Sequence, residues 1–171
     1  DPGKQWEAWY AFLTEKHGFS KKPAFIGMSM GGFNEYKWAI ANPDKVTCIY
    51  GDNPAISKES LMKLDGLVQN DVPFLNVCGS LDFILGNHTE AIESLYQHLG
   101  GKISVMVQEG LGHHPHSLRD PKPIADFIEG SFNKVNKEAP SFVGKNAKKS
   151  YYYGIENTYN YYPSEKRYIA C

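Results

Sequence analysis

The sequence predicts an α/β chain in which a parallel sheet carries helices on both faces. Three observations lead there. Four short apolar runs, at residues 23–27, 45–50, 72–78 and 103–107, alternate with segments whose apolar residues recur at helical spacing. Each run gives way to glycine, asparagine, aspartate or serine, the chemistry of strands that stop at turns. The chain has 171 residues and is 42% hydrophobic, enough for one packed core, which excludes disorder throughout.

Taken in order, the chain enters through a helix in which Trp6, Trp9, Tyr10, Phe12 and Leu13 share a face. The first apolar run and a Gly/Ser turn follow. Phe33, Tyr36, Trp38, Ala39 and Ile40 then mark a second helix, stopped at Asn42-Pro43. The second run ends at Gly51-Asp52-Asn53-Pro54, and a helix is expected over 58–69. After the third run and Gly79-Ser80-Leu81-Asp82, Asn87 is the expected N-cap of a helix that Gly100-Gly101 ends. The fourth run leads into EGLGHHPHSLRDP, and a helix over 123–132 presents Ile124, Phe127 and Ile128 on one face. From 133 to 171 the composition turns to Lys, Asn and Tyr with little apolar periodicity. That part reads as a linker or poorly ordered tail, in preference to the start of a second domain whose tyrosines stack on sugars.

Eighteen basic and nineteen acidic residues give a net charge of −1, so no basic field for nucleic acid exists, and the expected partner is a small molecule. No apolar run approaches the roughly twenty residues of a membrane span. Cys48 and Cys78 lie in apolar runs and read as buried free thiols; with Cys171 they show no disulfide or metal spacing. Asp1 is not an initiator residue, so localisation does not follow from this start.

The chemistry concentrates in Gly27-Met28-Ser29-Met30-Gly31-Gly32. A serine between glycines, behind a strand and ahead of a helix, suits a nucleophile held in a tight bend, where strained backbone demands small neighbours at Gly27 and Gly31. The helix that follows aims its first N–H groups at the serine, making the Met30 amide an oxyanion donor. A plain turn serine is the simpler alternative. Because a hydroxyl is a poor nucleophile alone, the reading demands a histidine and a carboxylate on the same sheet edge. All strands of a parallel sheet end on one edge. Asp82 follows the third run and His113 the fourth, while Asp52, after the second, is a rival acid. Singly, Asp82 also reads as a helix cap and His113 as a loop histidine. His113, His114 and His116 have neither HExxH nor paired-cysteine spacing, so no metal and no cofactor are expected.

GMSMGG, VCGSLD and GLGHHPHSLRDP resemble the elbow, acid loop and histidine loop of the α/β-hydrolase family, in that family's order of serine, acid and histidine. The resemblance spans residues 6–132. It implies that Ser29 is the nucleophile and His113 the base, with His114 and His116 as neighbours. It favours Asp82, in its GSLD setting, over Asp52 as the acid. It also implies that these strands are the last four of the family's eight. Residues 1–132 are then the C-terminal part of a catalytic domain, and the 171 residues on their own are expected to be inactive or barely active and poorly soluble. Only about twenty residues separate the second and third runs, so no cap domain is expected there. The expected activity is cofactor-free hydrolysis of a carboxylic ester or other acylated small molecule through an acyl-enzyme. A prolyl-oligopeptidase-like serine peptidase is the rival enzyme, and a non-catalytic binding module the alternative of another class.

Overall fold

The computed structural model describes residues 2–135; residues 136–171, most of the Lys/Asn/Tyr-rich segment, lie outside the described residues. Six helices and four strands alternate: α1 (Pro2–Ala11, extended by a wider turn over Phe12–Lys16), β1 (Ala24–Met28), α2 (Met30–Ala41), β2 (Cys48–Asp52), α3 (Lys58–Leu61), α4 (Asp65–Gln69), β3 (Phe74–Gly79), α5 (Ala91–His98), β4 (Ile103–Gln108) and α6 (Lys122–Val135). The strands form one sheet in the order β1-β2-β3-β4, all parallel. Each strand therefore lies beside its successor in sequence. Crossovers between parallel neighbours are right-handed, so a sheet growing in one direction keeps its connecting helices on one face.

Alternation along the strands sorts side chains between two cores. Phe25, Ile49 and Phe74 face the helices α1 to α5, packing with Tyr36, Trp38, Leu64, Leu67, Ile92 and Tyr96. Ala24, Cys48, Tyr50, Leu75 and Val77 face the other way, onto Ile124 and Ile128 of α6. Helices cover both faces, as the sequence predicts. Trp6 of α1 stacks on Phe25 at 6.1 Å, and Phe25 on Trp38 at 5.0 Å, which docks α1 over the edge strand β1. Phe74 and Tyr96 stack at 3.9 Å while the Tyr96 hydroxyl donates to the Val72 carbonyl at 2.6 Å. Such aromatic pairs add about 0.5–1.5 kcal/mol beyond the area they bury.

Three boundaries differ from the sequence reading. The helix expected over 58–69 breaks into α3 and α4, and the turn between them lets Leu64 and Leu67 both bury completely while Met62 faces solvent. Asn87 is not an N-cap: a wide helical turn over Leu85–Glu90 runs straight into α5. It starts earlier because Asp82 starts it, its carboxylate accepting the Ile84 N–H at 3.1 Å and its carbonyl the Leu85 N–H at 3.1 Å. The last helix continues to Val135 rather than stopping at Phe132. Gly100 and Gly101 do end α5. Gly100, at φ 86°, donates to the Gln97 carbonyl and Gly101 to the Tyr96 carbonyl, a Schellman closure.

Cys48 and Cys78 are buried free thiols, and burial pushes the Cys48 thiol up to about 12. Among the described residues, no helix is long and apolar enough to cross a membrane. Glu35, on α2, is fully buried, and neither carboxyl oxygen has a hydrogen-bond partner among the described residues. Burial raises its pKa well above the ordinary 4.5, so the folded protein holds this carboxyl protonated where the unfolded chain has ionised it. The sign follows from linkage: the unfolded state binds fewer protons above pH 4.5, and stability falls as pH rises from there toward the folded pKa. Glu35→Gln should lack this fall. Urea unfolding at a series of pH values from 4.5 upward should show the variant gaining on the native protein as pH rises, and a pH-independent difference would contradict the assignment.

Candidate active site

Ser29 occupies the single-residue turn between β1 and α2 with φ 51° and ψ −118°, a conformation that residues with a β-carbon rarely adopt. Three backbone hydrogen bonds impose it. The Ser29 N–H donates to the Asp52 carbonyl at 3.0 Å, and the Ser29 carbonyl accepts from Gly32 at 3.1 Å and Ala55 at 2.9 Å. The turn is tight because α2 presses on its surroundings. A Cβ at Gly27 would lie 2.0 Å from a Glu35 carboxyl oxygen and 2.8 Å from the Gly32 Cα, and one at Gly32 would lie 2.8 Å from the Pro54 Cβ. Met30 opens α2, so its N–H belongs to the first helical turn and has no intrahelical acceptor. Its side chain is exposed.

The histidine loop is fastened over the end of β3. A Cβ on Gly79 would stand 2.2 Å from the Leu111 carbonyl oxygen and 2.4 Å from that of Gly112, so only glycine permits the approach. The Leu81 N–H donates to the Leu111 carbonyl at 2.8 Å, and the Gly110 N–H to the Ser80 hydroxyl at 2.8 Å. Asn53, just past β2, ties three parts together. Its side-chain carbonyl accepts the Gly79 N–H at 3.0 Å, and its amide nitrogen donates to the His113 carbonyl at 3.2 Å and to Asp52 at 3.3 Å.

These anchors bring Ser29, Asp82 and His113 together. The Ser29 Oγ lies 2.9 Å from the His113 Nε2, and the His113 Nδ1 lies 2.8 Å from the Asp82 Oδ2. The Asp82 carboxylate is completely shielded from solvent, whereas the His113 ring retains 19% exposure. Its other oxygen takes the Ile84 N–H, and the Cys78 thiol lies 3.7 Å from the Oδ2. The carboxylate is buried but well partnered, the condition under which a buried charge is tolerated. Phe83 packs its ring 5.1 Å from that of His113 and stays 78% exposed, with Leu81 71% exposed beside it in sequence.

Asp52, the rival acid, is placed elsewhere. It is buried against Tyr50, whose hydroxyl donates to it at 2.8 Å, and its Oδ1 lies 3.3 Å from the His116 Nδ1. Burial and this carboxylate together hold the Tyr50 hydroxyl well above its ordinary pKa. His114 is exposed. Sequence reasoning missed Asn53 as the clamp and His116–Asp52 as a second histidine–carboxylate pair. The only signal was Asp52-Asn53 itself, polar residues directly after a strand, which also suits a turn.

Over 72% of its length the chain superposes on 57% of the esterase PE8, with a TM-score of 0.59 at 21% identity. It matches a carboxylesterase from Mesorhizobium loti over 75% of this chain and 59% of that one, with a TM-score of 0.59 at 18% identity. A variant of Arabidopsis thaliana SOBER1 matches over 76% and 63%, with a TM-score of 0.58 at 18% identity. The fold is shared with these solved structures. The chain spans about three-fifths of the length of these neighbours. No protein-family model matches the sequence, and no curated protein does.

Asn53 sits at φ 44°, where asparagine is tolerated and alanine is strained. Asn53→Ala would also leave the Gly79 N–H without its acceptor and the His113 carbonyl without its donor. A loss of about 1–3 kcal/mol in urea unfolding is expected, the cost of stranding buried polar groups. A change within about 0.5 kcal/mol, the range of ordinary surface substitutions, would contradict the clamp.

Proposed function

We propose that the protein is a serine hydrolase that cleaves carboxylic esters through an acyl-enzyme. The reading is carried by the unbroken run of contacts from Ser29 Oγ through the His113 ring to Asp82, on loops that follow β1, β4 and β3. In this reading the Ser29 oxygen attacks the ester carbonyl carbon as its proton passes to the His113 Nε2. Asp82 holds the Nδ1–H, fixing the tautomer in which Nε2 is free to accept, and steadies the imidazolium that forms. The carbonyl oxygen becomes an oxyanion, which the Met30 N–H stabilises from the start of α2. The imidazolium then returns its proton to the departing alcohol. Water, deprotonated by the same histidine, attacks the acyl carbon and releases the acid and Ser29.

Substrate class follows from the surroundings. Among the described residues, α3 and α4 pack into the core, and exposed apolar side chains stand next to Ser29 (Met30) and on either side of Asp82 (Leu81 and Phe83). That suits an uncharged ester of modest size. The solved neighbours named as an esterase and a carboxylesterase support the same reading.

Turnover of p-nitrophenyl acetate and butyrate tests it, with aminoacyl p-nitroanilides as the peptidase control. Slow ester cleavage, above the rate of Ser29→Ala, is expected and anilide cleavage is not. Asp82→Asn should lower turnover by about 10⁴-fold, because the wrong tautomer then faces Ser29. Asp52→Asn should be far milder; the reverse ranking would move the acid to Asp52. Gly79→Ala should cost on the order of 10²-fold, since it pushes the histidine loop off its seat without touching a reacting group. No ester turnover by the native protein, or turnover unmoved by Asp82→Asn, would overturn the proposal.

A further inference from the structure

Beside the serine lies a histidine cluster of which ester hydrolysis uses only His113. His113, His114 and His116 present one ring nitrogen each within 4.8 Å of one another. Their rings meet edge to face, at 5.1 Å for His113 with His114, 5.3 Å for His113 with His116, and 4.6 Å for His114 with His116. Two of the three are backed by buried carboxylates. The His113 Nδ1 is held by Asp82 and the His116 Nδ1 by Asp52, whose side chain is 1% exposed.

The hydrogen bonds fix which nitrogen of His116 is free. Asn53 has two amide protons, and the His113 carbonyl at 3.2 Å and the Asp52 carboxylate at 3.3 Å take both. The His116 Nδ1 lies 3.2 Å from the same amide nitrogen and 3.3 Å from the Asp52 Oδ1, and the site uses the tautomer in which Nδ1–H is donated to Asp52. The Nε2 lone pair of His116 is left to a ligand. His113 has the same polarity, with Nδ1–H on Asp82 and an Nε2 lone pair facing Ser29. A carboxylate behind Nδ1 and a free Nε2 in front is how metal-binding histidines are oriented and made more basic.

We propose that His113, His114 and His116 form a binding site for a zinc-type divalent ion, and that its occupancy silences Ser29. Three imidazoles and one open position are a recognised zinc donor set. Nitrogens about 2.0–2.1 Å from one tetrahedral ion lie about 3.3 Å apart, so closing the cluster takes at most about 1.5 Å of movement. The exposed His114 ring turns toward the other two, and the loop that carries all three must draw His116 toward His113. The ion takes the lone pair of the His113 Nε2 and displaces the Ser29 hydroxyl from it. The serine loses its base while the fold stays intact. The absence of a linear metal motif does not count against the site, because its geometry comes from a loop held by Asn53, Ser80 and Asp52. The inhibitory half of the proposal rests on the hydrolase reading, and the binding half does not.

Titration with Co²⁺, followed by visible absorption, reads binding without reference to activity. Saturable tetrahedral bands are expected in the native protein and in Ser29→Ala. They should be lost in His114→Ala and weakened by about 10–100-fold in affinity in Asp52→Asn, which removes the group behind His116. In parallel, Zn²⁺ should abolish p-nitrophenyl acetate turnover and EDTA restore it, while the turnover that His114→Ala retains, whatever its level, is no longer inhibited. Absent bands, or bands and inhibition unchanged in His114→Ala, would overturn the metal site. Co²⁺ binding as described in a protein that turns over no ester would overturn the hydrolase reading and leave the metal site standing. Ester turnover without Co²⁺ binding would do the reverse.

Discussion

A residue with a β-carbon is held at φ 51° at the one point where β1 meets α2, and the site is arranged around that constraint. Such a backbone costs about 1–3 kcal/mol and persists only when its surroundings over-determine it. Here they do so from two directions. Asp52, at the end of β2, and Ala55, just beyond it, clamp Ser29, and α2 clamps it through Gly32. The same closeness forbids side chains at Gly27 and Gly32 and places the buried Glu35 carboxyl, its pKa raised by burial, beneath the turn. In return, the serine hydroxyl projects beyond the strand end beside the first N–H groups of a helix.

Parallel pairing carries the constraint across the sheet. With Met28 beside Asp52, Asp52 beside Val77, and Gly79 beside Gln108, the ends of all four strands share one edge. Side chains from residues 29, 53, 82 and 113 meet there although up to 84 positions separate them in the chain. Asn53 is the hub, because its amide satisfies groups from β2, β3 and the histidine loop at once. Its position behind His113 rather than beside the serine makes it a positioning residue. One loop thus serves two histidine–carboxylate pairs, one aimed at Ser29 and one beside it.

The alternation of apolar runs with helical periodicity was enough to read the parallel sheet, because strands buried on both faces leave continuous apolar stretches. Strand ends shifted by one to three residues, as in β2, where Pro43–Lys45 form a tight turn and pairing begins only at Cys48. Ser29, Asp82 and His113 were legible because each follows its own strand and the glycines announce the bend. What composition and spacing could not supply was the partner of each carboxylate: Asp52 and Asp82 are both aspartates just past a strand. Only the path of the loop after β4 assigns Asp82 to His113 and Asp52 to His116. The helix start at Asn87 was misread for a related reason, since Asp82 caps that turn while also holding the histidine.

The central claim is that Ser29 is chemically distinct from every other serine in the chain. Treatment with a fluorophosphonate probe, digestion, and mass-spectrometric mapping of the phosphonylated residue tests this directly. The account predicts a single adduct on the peptide carrying Ser29, with Ser57, Ser60 and Ser80 unmodified under the same conditions. No adduct on that peptide, or equal labelling of several serines, would contradict it.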